Sequence, residues 1–348
     1  MIEANTFSFE HISEISAKYK IDKQLVQKQV AALSLVHYLR ESGLNFIFKG
    51  GTSLLCLITP PTRLSLDIDI TVDPGTDISD ILNDISVKQP FKRVEDDIRS
   101  NSHEIPKAHF KFYFDSFIAE SKEEYILLDV LYEENLYPVT QDSRIPADFL
   151  HMPSPVTVKT PDINSILGDK LTAYAPNTTG IPYLRGESHM NMEIIKQLFD
   201  ISNLIDHFSD VSITKESFRR ISEKELRYRG QDNFTMKDVL DDIYNTGWVL
   251  LDRNEKEPKF QELLTGVNRL KNYIIIKGFH LDFAIIAAGK AAFLSRIIKY
   301  NLTSFDKFSG TDLVKGFEFT KDEYKRFNKL RKSNPQAFFY WYKALELN

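Results

Sequence analysis

Asp67 and Asp69 stand two residues apart in the run RLSLDIDITV, residues 63–72. On a strand, residues i and i+2 project from one face. The two carboxylates therefore point together while Ile68 and Ile70 point into the core. Adjacent carboxylates repel each other, and a cation between them relieves the repulsion. Hard oxygen ligands suit Mg²⁺, which keeps several waters and takes one or two carboxylates together with substrate phosphates. Mn²⁺ is the substitute that such ligands accept. Just upstream, Ser65 shares the aspartate face, and Arg63 is of a type to fix a carboxylate or a phosphate. Asp129 is the lone charge of the apolar run ILLDVLY, residues 126–132. A buried carboxylate is costly without a cation beside it, which makes Asp129 a candidate third metal ligand. Three acids on neighbouring strands suit two-metal phosphoryl or nucleotidyl transfer. Taken singly, a D-x-D is as readily a solvated strand face, and Asp129 an edge residue at the solvent.

Ahead of the aspartates lies KGGTSL, residues 49–54. Gly50 and Gly51 let the backbone approach a ligand closely. A helix starting here offers unpaired N–H groups and the positive end of its dipole, and Thr52 and Ser53 add hydroxyl donors. Together they suit phosphate oxygens. A lone GGTS is also an ordinary tight turn that caps a helix.

The elements that must position these residues read as follows. A helix is expected over residues 22–42, a short strand over 46–48, a short helix over 52–58 ended by Pro60-Pro61, and a strand over 66–72. A helix at 78–85 and strands at 91–98, 109–117 and 125–132 follow. After Pro161 helical periodicity dominates: 162–174, 192–208, 215–229, 236–251, 281–300, and two helices within 321–347. The fold class is therefore α/β (α+β), a mixed-sheet domain of residues 1–160 followed by a helical domain of residues 161–348.

KGGTSL followed by RLSLDIDI resembles the AbiEii/AbiGii-toxin-like nucleotidyltransferases of the DNA polymerase beta-like superfamily, whose first motif joins G-G-[ST] to R-x-S-x-D-x-D. Two further matches follow in order. DKLTA (169–173) is similar to the family's K-L-x-A helix, and DISNLI (200–205) to its later motif that opens on an aspartate. The resemblance implies a nucleotidyltransferase-fold catalytic domain. Gly51, Thr52 and Ser53, with Gly50, Arg63 and Ser65, would serve the nucleotide. Asp67 and Asp69 would bind Mg²⁺, with Asp129 as third ligand. Lys170 of the helical domain would reach the triphosphate, and Asp200 would act as a catalytic or orienting acid. The chain departs from the pattern at Asn177, where the family carries an arginine that Arg185 would have to replace, and at Asn203.

What the resemblance implies about function is the toxin of a bacterial toxin–antitoxin or abortive-infection system. It would transfer NMP from an NTP to RNA, at the 3′ end of tRNA, and its antitoxin would be a separate chain. Two rivals remain: nucleotidylation of a protein or small molecule, and a non-catalytic nucleotide-binding protein on the same scaffold.

Bulk properties set outer bounds. The 348 residues are 42% hydrophobic and 27% charged, enough for two globular domains. Residues 1–160 carry 24 acids against 16 bases and the remainder 25 against 28, so the first half suits cations and the second a polyanion. Arg219, Arg220, Lys224, Arg227 and Arg229 form one basic cluster. Lys321, Lys325, Arg326, Lys329, Arg331 and Lys332 form another, ahead of Phe338–Tyr342. Basic residues beside aromatics fit RNA backbone and unstacked bases, or else a solvated face beside an apolar core. The single cysteine, Cys56, excludes an intrachain disulfide. No secretory leader and no apolar run of about 18 residues is present, so the expectation is cytoplasmic, with no membrane partner.

Overall fold

The computed structural model describes residues 1–97, 105–120, 122–275 and 278–347. The chain divides into two compact units: Met1–Asp162 with Tyr273–Ile276, and Ile163–Asn272 with Lys277–Asn348.

The first unit opens with helices α1 (Phe9–Tyr19) and α2 (Lys23–Glu41). Asp22 caps α2, its carboxylate accepting from the N–H groups of Gln24 and Leu25 at 2.8 and 3.3 Å. Strand β1 (Ile47–Lys49), helix α3 (Gly50–Leu57), strand β2 (Ile68–Val72) and helix α4 (Ser79–Ser86) follow. Then come β3 (Phe91–Asp96), β4 (Lys107–Asp115) and β5 (Glu123–Tyr132). Ile98, in the expected strand 91–98, lies outside the described residues. The sheet order is β1-β2-β5-β4-β3, with β2 and β5 parallel and the other pairs antiparallel.

Period-two alternation sets the two faces of this sheet. Ile68, Ile70, Leu128, Val130, Phe112 and Phe114 are buried in one cluster with Val26, Val30 and Leu33 of α2. Each such side chain contributes roughly 1.5–3 kcal/mol by leaving water. The alternate residues, Asp69, Asp129, His109 and Lys111, occupy the opposite face. A separate hairpin, β6 (Thr140–Arg144) with β7 (Thr157–Pro161), is cross-linked by Ser143 Oγ and Thr160 Oγ1 at 2.7 Å. Its polar strands carry no apolar alternation, and the sequence gives no sign of it.

A single cut near residue 160 does not describe the chain. Ile274 forms an antiparallel bridge with Arg63. The Leu64 N–H donates to Tyr273 O at 2.9 Å, and the Ile275 N–H to Thr62 O at 2.9 Å. The stretch that leads into β2 thus borrows an edge from residues more than 200 positions later.

The second unit holds α5 (Ile163–Ala173), a small hairpin β8 (Leu184–Arg185) and β9 (Ser188–His189), α6 (Asn191–His207), α7 (Val211–Tyr228), α8 (Met236–Asp252), α9 (Pro258–Leu270), α10 (Leu281–Lys299), α11 (Leu330–Ser333) and α12 (Pro335–Glu346). Helix α5 packs on α6 and α7, and α10 on α6, α8 and α12. Gly168 permits the first of these contacts. A Cβ there would come within 2.6 Å of Thr214 O and 2.7 Å of Phe218 N. The Ser217 hydroxyl donates to Ser165 O at 2.6 Å across the same crossing.

Candidate active site

In the first unit, β1 runs directly into α3, so the two glycines form the first turn of the helix rather than a loop before it. Gly50 has φ +74°, a left-handed conformation that a side chain disfavours. A second reason for glycine is steric. A Cβ at position 50 would overlap the carboxylate of Asp69. At Gly51 a Cβ would lie 2.7 Å from Arg63 Nη2 and 2.7 Å from Ser65 Oγ. The glycine pair is therefore the mould into which Asp69, Arg63 and Ser65 fit. The N-cap residue of α3, Lys49, makes no side-chain cap hydrogen bond, and a helix start of this kind is suited to an anion.

The hydroxyls expected to hold phosphate have other work. Thr52 is buried and its Oγ1 lies 2.9 Å from Ser65 O and 2.6 Å from Asp67 O, donating to these carbonyls. Ser53 is buried too, and its hydroxyl donates to Gly50 O at 2.9 Å. Thr52 thus fastens the helix start to the chain that carries the aspartates. Arg63 is buried and donates from Nη1 to Leu64 O at 2.9 Å. The Ser65 N–H is held by Gln29 Oε1 of α2 at 3.1 Å.

Asp67 is exposed and just precedes β2, while Asp69 lies within it, half-buried. Asp69 is the register partner of Asp129 on the parallel strand β5. The two acids therefore stand side by side on the face away from the core. Asp129 differs from the expected third ligand in one respect: its Oδ1 is engaged by Nδ1 of His109 at 2.7 Å. His109 is the register partner of Asp129 on β4. Sequence reasoning missed it, because a histidine 20 residues upstream meets Asp129 only once the β4–β5 register is known.

Among the described residues, no group of three or more His, Cys, Asp or Glu forms a metal cage. A pair of strand carboxylates beside a helix start nevertheless fits Mg²⁺, which draws its remaining ligands from water and substrate phosphates.

In the second unit, the two motifs that lie apart in sequence meet. Lys170 of α5 and Asp200 of α6 form an ion pair at 3.0 Å, their side chains 7% and 1% exposed. Lys170 Nζ also donates to Gln197 Oε1 at 3.0 Å, one turn before Asp200. The nearby Lys196 pairs with Glu193 at 3.8 Å. Asn177, which stands where the family carries arginine, is bound to buried Asp242. Its backbone N–H donates to Oδ2 at 2.8 Å and its Nδ2 to Oδ1 at 2.5 Å. Lys259 Nζ donates to the Asn177 side-chain oxygen at 3.1 Å. Arg185 sits exposed on the β8–β9 hairpin. Asn203 Nδ2 donates to Phe199 O within its own helix.

Part of each basic cluster is engaged in ion pairs within the chain. Arg219 is paired with Glu216 and Glu223, Arg220 with Glu216, and Arg229 with Glu225, all along one helix. In the tail, Lys325 pairs with Asp322 and Arg326 with Asp252. Phe338, Phe339, Tyr340 and Trp341 are buried against α10 and their neighbours, out of reach of a base.

The mixed sheet, its paired carboxylates and the glycine mould at the head of α3 define a nucleotidyltransferase. The chain belongs to the family described as nucleotidyl transferase AbiEii toxin of type IV toxin–antitoxin systems, whose model matches residues 34–266. That span takes in every motif from Gly50 to Asp200. Among solved structures, the chain is similar to MenT4, a nucleotidyltransferase toxin of Mycobacterium tuberculosis H37Rv. The TM-score is 0.52 at 13% identity, over 95% of this chain and 98% of that one. At this identity the likeness concerns the fold. An antigenic nucleotidyltransferase-like protein of Paracoccidioides brasiliensis aligns over 61% of this chain and 92% of its own, with TM-score 0.36 and 14% identity. A comparison with curated proteins finds no match.

Proposed function

We propose that the chain is the toxin of a type IV toxin–antitoxin pair and transfers NMP from an NTP to RNA, at the 3′ end of tRNA. Its antitoxin is a separate chain. The observation that carries the chemistry is the mould at Gly50 and Gly51, into which the Asp69 carboxylate, Arg63 and Ser65 fit beneath the start of α3. Backbone N–H groups of α3, with Arg63, receive the phosphates. Asp67 and Asp69, with Asp129 as third ligand, would hold Mg²⁺, which would supply charge neutralisation at the α-phosphate and the leaving pyrophosphate. An acceptor hydroxyl oxygen bonds to the α-phosphorus, the bond from the α-phosphorus to the bridging oxygen breaks, and pyrophosphate leaves. The hydroxyl proton passes to a carboxylate, for which Asp129 is the candidate on the sheet. In the family motif Lys170 carries the positive charge for the triphosphate. Here its ion pair with Asp200 and the hydrogen bond it donates to Gln197 Oε1 hold it in one orientation. The acceptor rests on the family resemblance. No helix among the described residues is long and apolar enough to cross a membrane.

The test is to incubate the protein with each labelled NTP, Mg²⁺ and total RNA, beside an Asp67→Ala, Asp69→Ala variant. Label on RNA of tRNA size, with pyrophosphate released and both lost in the variant, is the expected result. Label on a protein or small molecule instead overturns the acceptor. Nucleotide bound without pyrophosphate release overturns the transfer.

A further inference from the structure

His109 has no part in the reaction as drawn above, yet its ring is built into the carboxylate face. Nδ1 lies 2.7 Å from Asp129 Oδ1, and the two side chains are 9% and 31% exposed. An ionised carboxylate oxygen only accepts, so the proton of this bond sits on Nδ1. The histidine is itself pinned. Its carbonyl accepts from the Asp97 N–H at 2.7 Å on one side, and β5 pairs with it on the other. A more exposed carboxylate is thus fixed by a less exposed ring on a strand held from both sides. Asp129 in turn is the register partner of Asp69, the residue that the Gly50 mould encloses.

We propose that His109 is a positioning residue: its Nδ1–H holds the Asp129 carboxylate in one rotamer beside Asp69, so that the two acids form a ready-made site for a divalent cation. This rests on the reading of the sheet carboxylates as the cation site. A carboxylate left to rotate must be ordered at the moment the cation binds, and that ordering is charged against affinity. Hydrogen bonds to ligating groups from outside a metal site are worth about 10–100-fold in metal affinity.

The test is Mn²⁺ affinity of the full chain, read calorimetrically without nucleotide, for wild type, His109→Phe, His109→Asn and Asp69→Ala. His109→Phe keeps a ring and removes the donor. His109→Asn keeps an N–H donor near the place of Nδ1. The expected result is Mn²⁺ binding weakened about 10–100-fold in His109→Phe and largely recovered in His109→Asn, at similar melting temperatures. If His109→Phe does not fold, His109→Asn against wild type still decides: affinity within about threefold supports the proposal and a larger loss overturns it. Unchanged Mn²⁺ affinity in folded His109→Phe overturns the proposal while leaving the cation site standing, provided Asp69→Ala binds weakly. Wild-type affinity in Asp69→Ala removes the cation site itself.

Discussion

The two units treat charge in opposite ways. In the first, the acids of the motif stand at the rim of a sheet, with Asp67 exposed and Asp129 31% exposed. In the second, Lys170 and Asp200 are buried and neutralise each other at 3.0 Å. A rim acid keeps part of its hydration, so less of the fold depends on it. A buried pair has left water and depends on its partner. Removing a motif charge should therefore cost activity alone in the first unit, and activity with stability in the second.

Breaking the buried pair gives the largest expected effect. Lys170→Ala leaves Asp200 charged in an apolar interior, at a cost of about 3–5 kcal/mol in urea unfolding. Lys170→Met with Asp200→Leu should restore most of that stability and remain inactive. If the single variant melts like wild type, the contrast between the units fails. Next comes Asp67→Ala, expected to lower label transfer on the order of a thousand-fold, about 4 kcal/mol in the barrier. Its unfolding free energy should fall by clearly less than that of Lys170→Ala. Gly50→Ala is intermediate. Left-handed strain costs roughly 1–2 kcal/mol, and the displaced Asp69 carboxylate should weaken Mn²⁺ binding as well, a double loss that no neighbouring surface change would give.

The smallest effect concerns protons. His37 of α2 is buried, neither ring nitrogen has a hydrogen-bond partner among the described residues, and burial holds its pKa below the ordinary 6.5. Glu41, Lys88 and the N-terminal ammonium are its charged neighbours, of which Glu41 acts against the burial effect. Folding favours the neutral ring, so its stability is fully present above pH 6.5 and is lost as pH falls through the depressed value. His11 in the same unit is lowered for the same leading reason. The melting temperature should fall below pH 6.5, and His37→Leu should recover part of the drop, a few degrees for an effect near 1 kcal/mol. A melting curve equally acid-sensitive in the variant would assign the loss elsewhere.

What the sequence made legible was what depends on local period. The D-I-D alternation and the apolar period of residues 22–42 each announce their element, and β2, β5, α2 and α10 lie within a few residues of expectation. Long-range register was out of reach, which hid His109 and the return of Tyr273–Ile276. Helix α9 was missed although Phe260, Leu263, Leu264, Val267 and Leu270 recur at helical spacing. The structure needs glycine at Gly266, since a Cβ would run into the Asn191 backbone. At 338–342 the sequence left an RNA-stacking surface and an apolar core both open, and burial of Phe338–Trp341 supports the core. A helix covered on several sides buries successive residues, and its composition then looks like a binding surface. The pairing of Arg219 and Arg220 was readable, because Glu216 and Glu223 lie three or four positions away.

The return of Tyr273–Ile276 also sets an order in time. During synthesis the glycines and aspartates leave the ribosome early. Thr62 and Leu64 find their edge partners only after residue 275 has emerged. A nascent or truncated chain ending between Asp69 and Tyr273 holds both acids of the first motif but lacks the brace on Arg63. The brace that completes the first unit thus arrives more than 200 residues after the segment it holds.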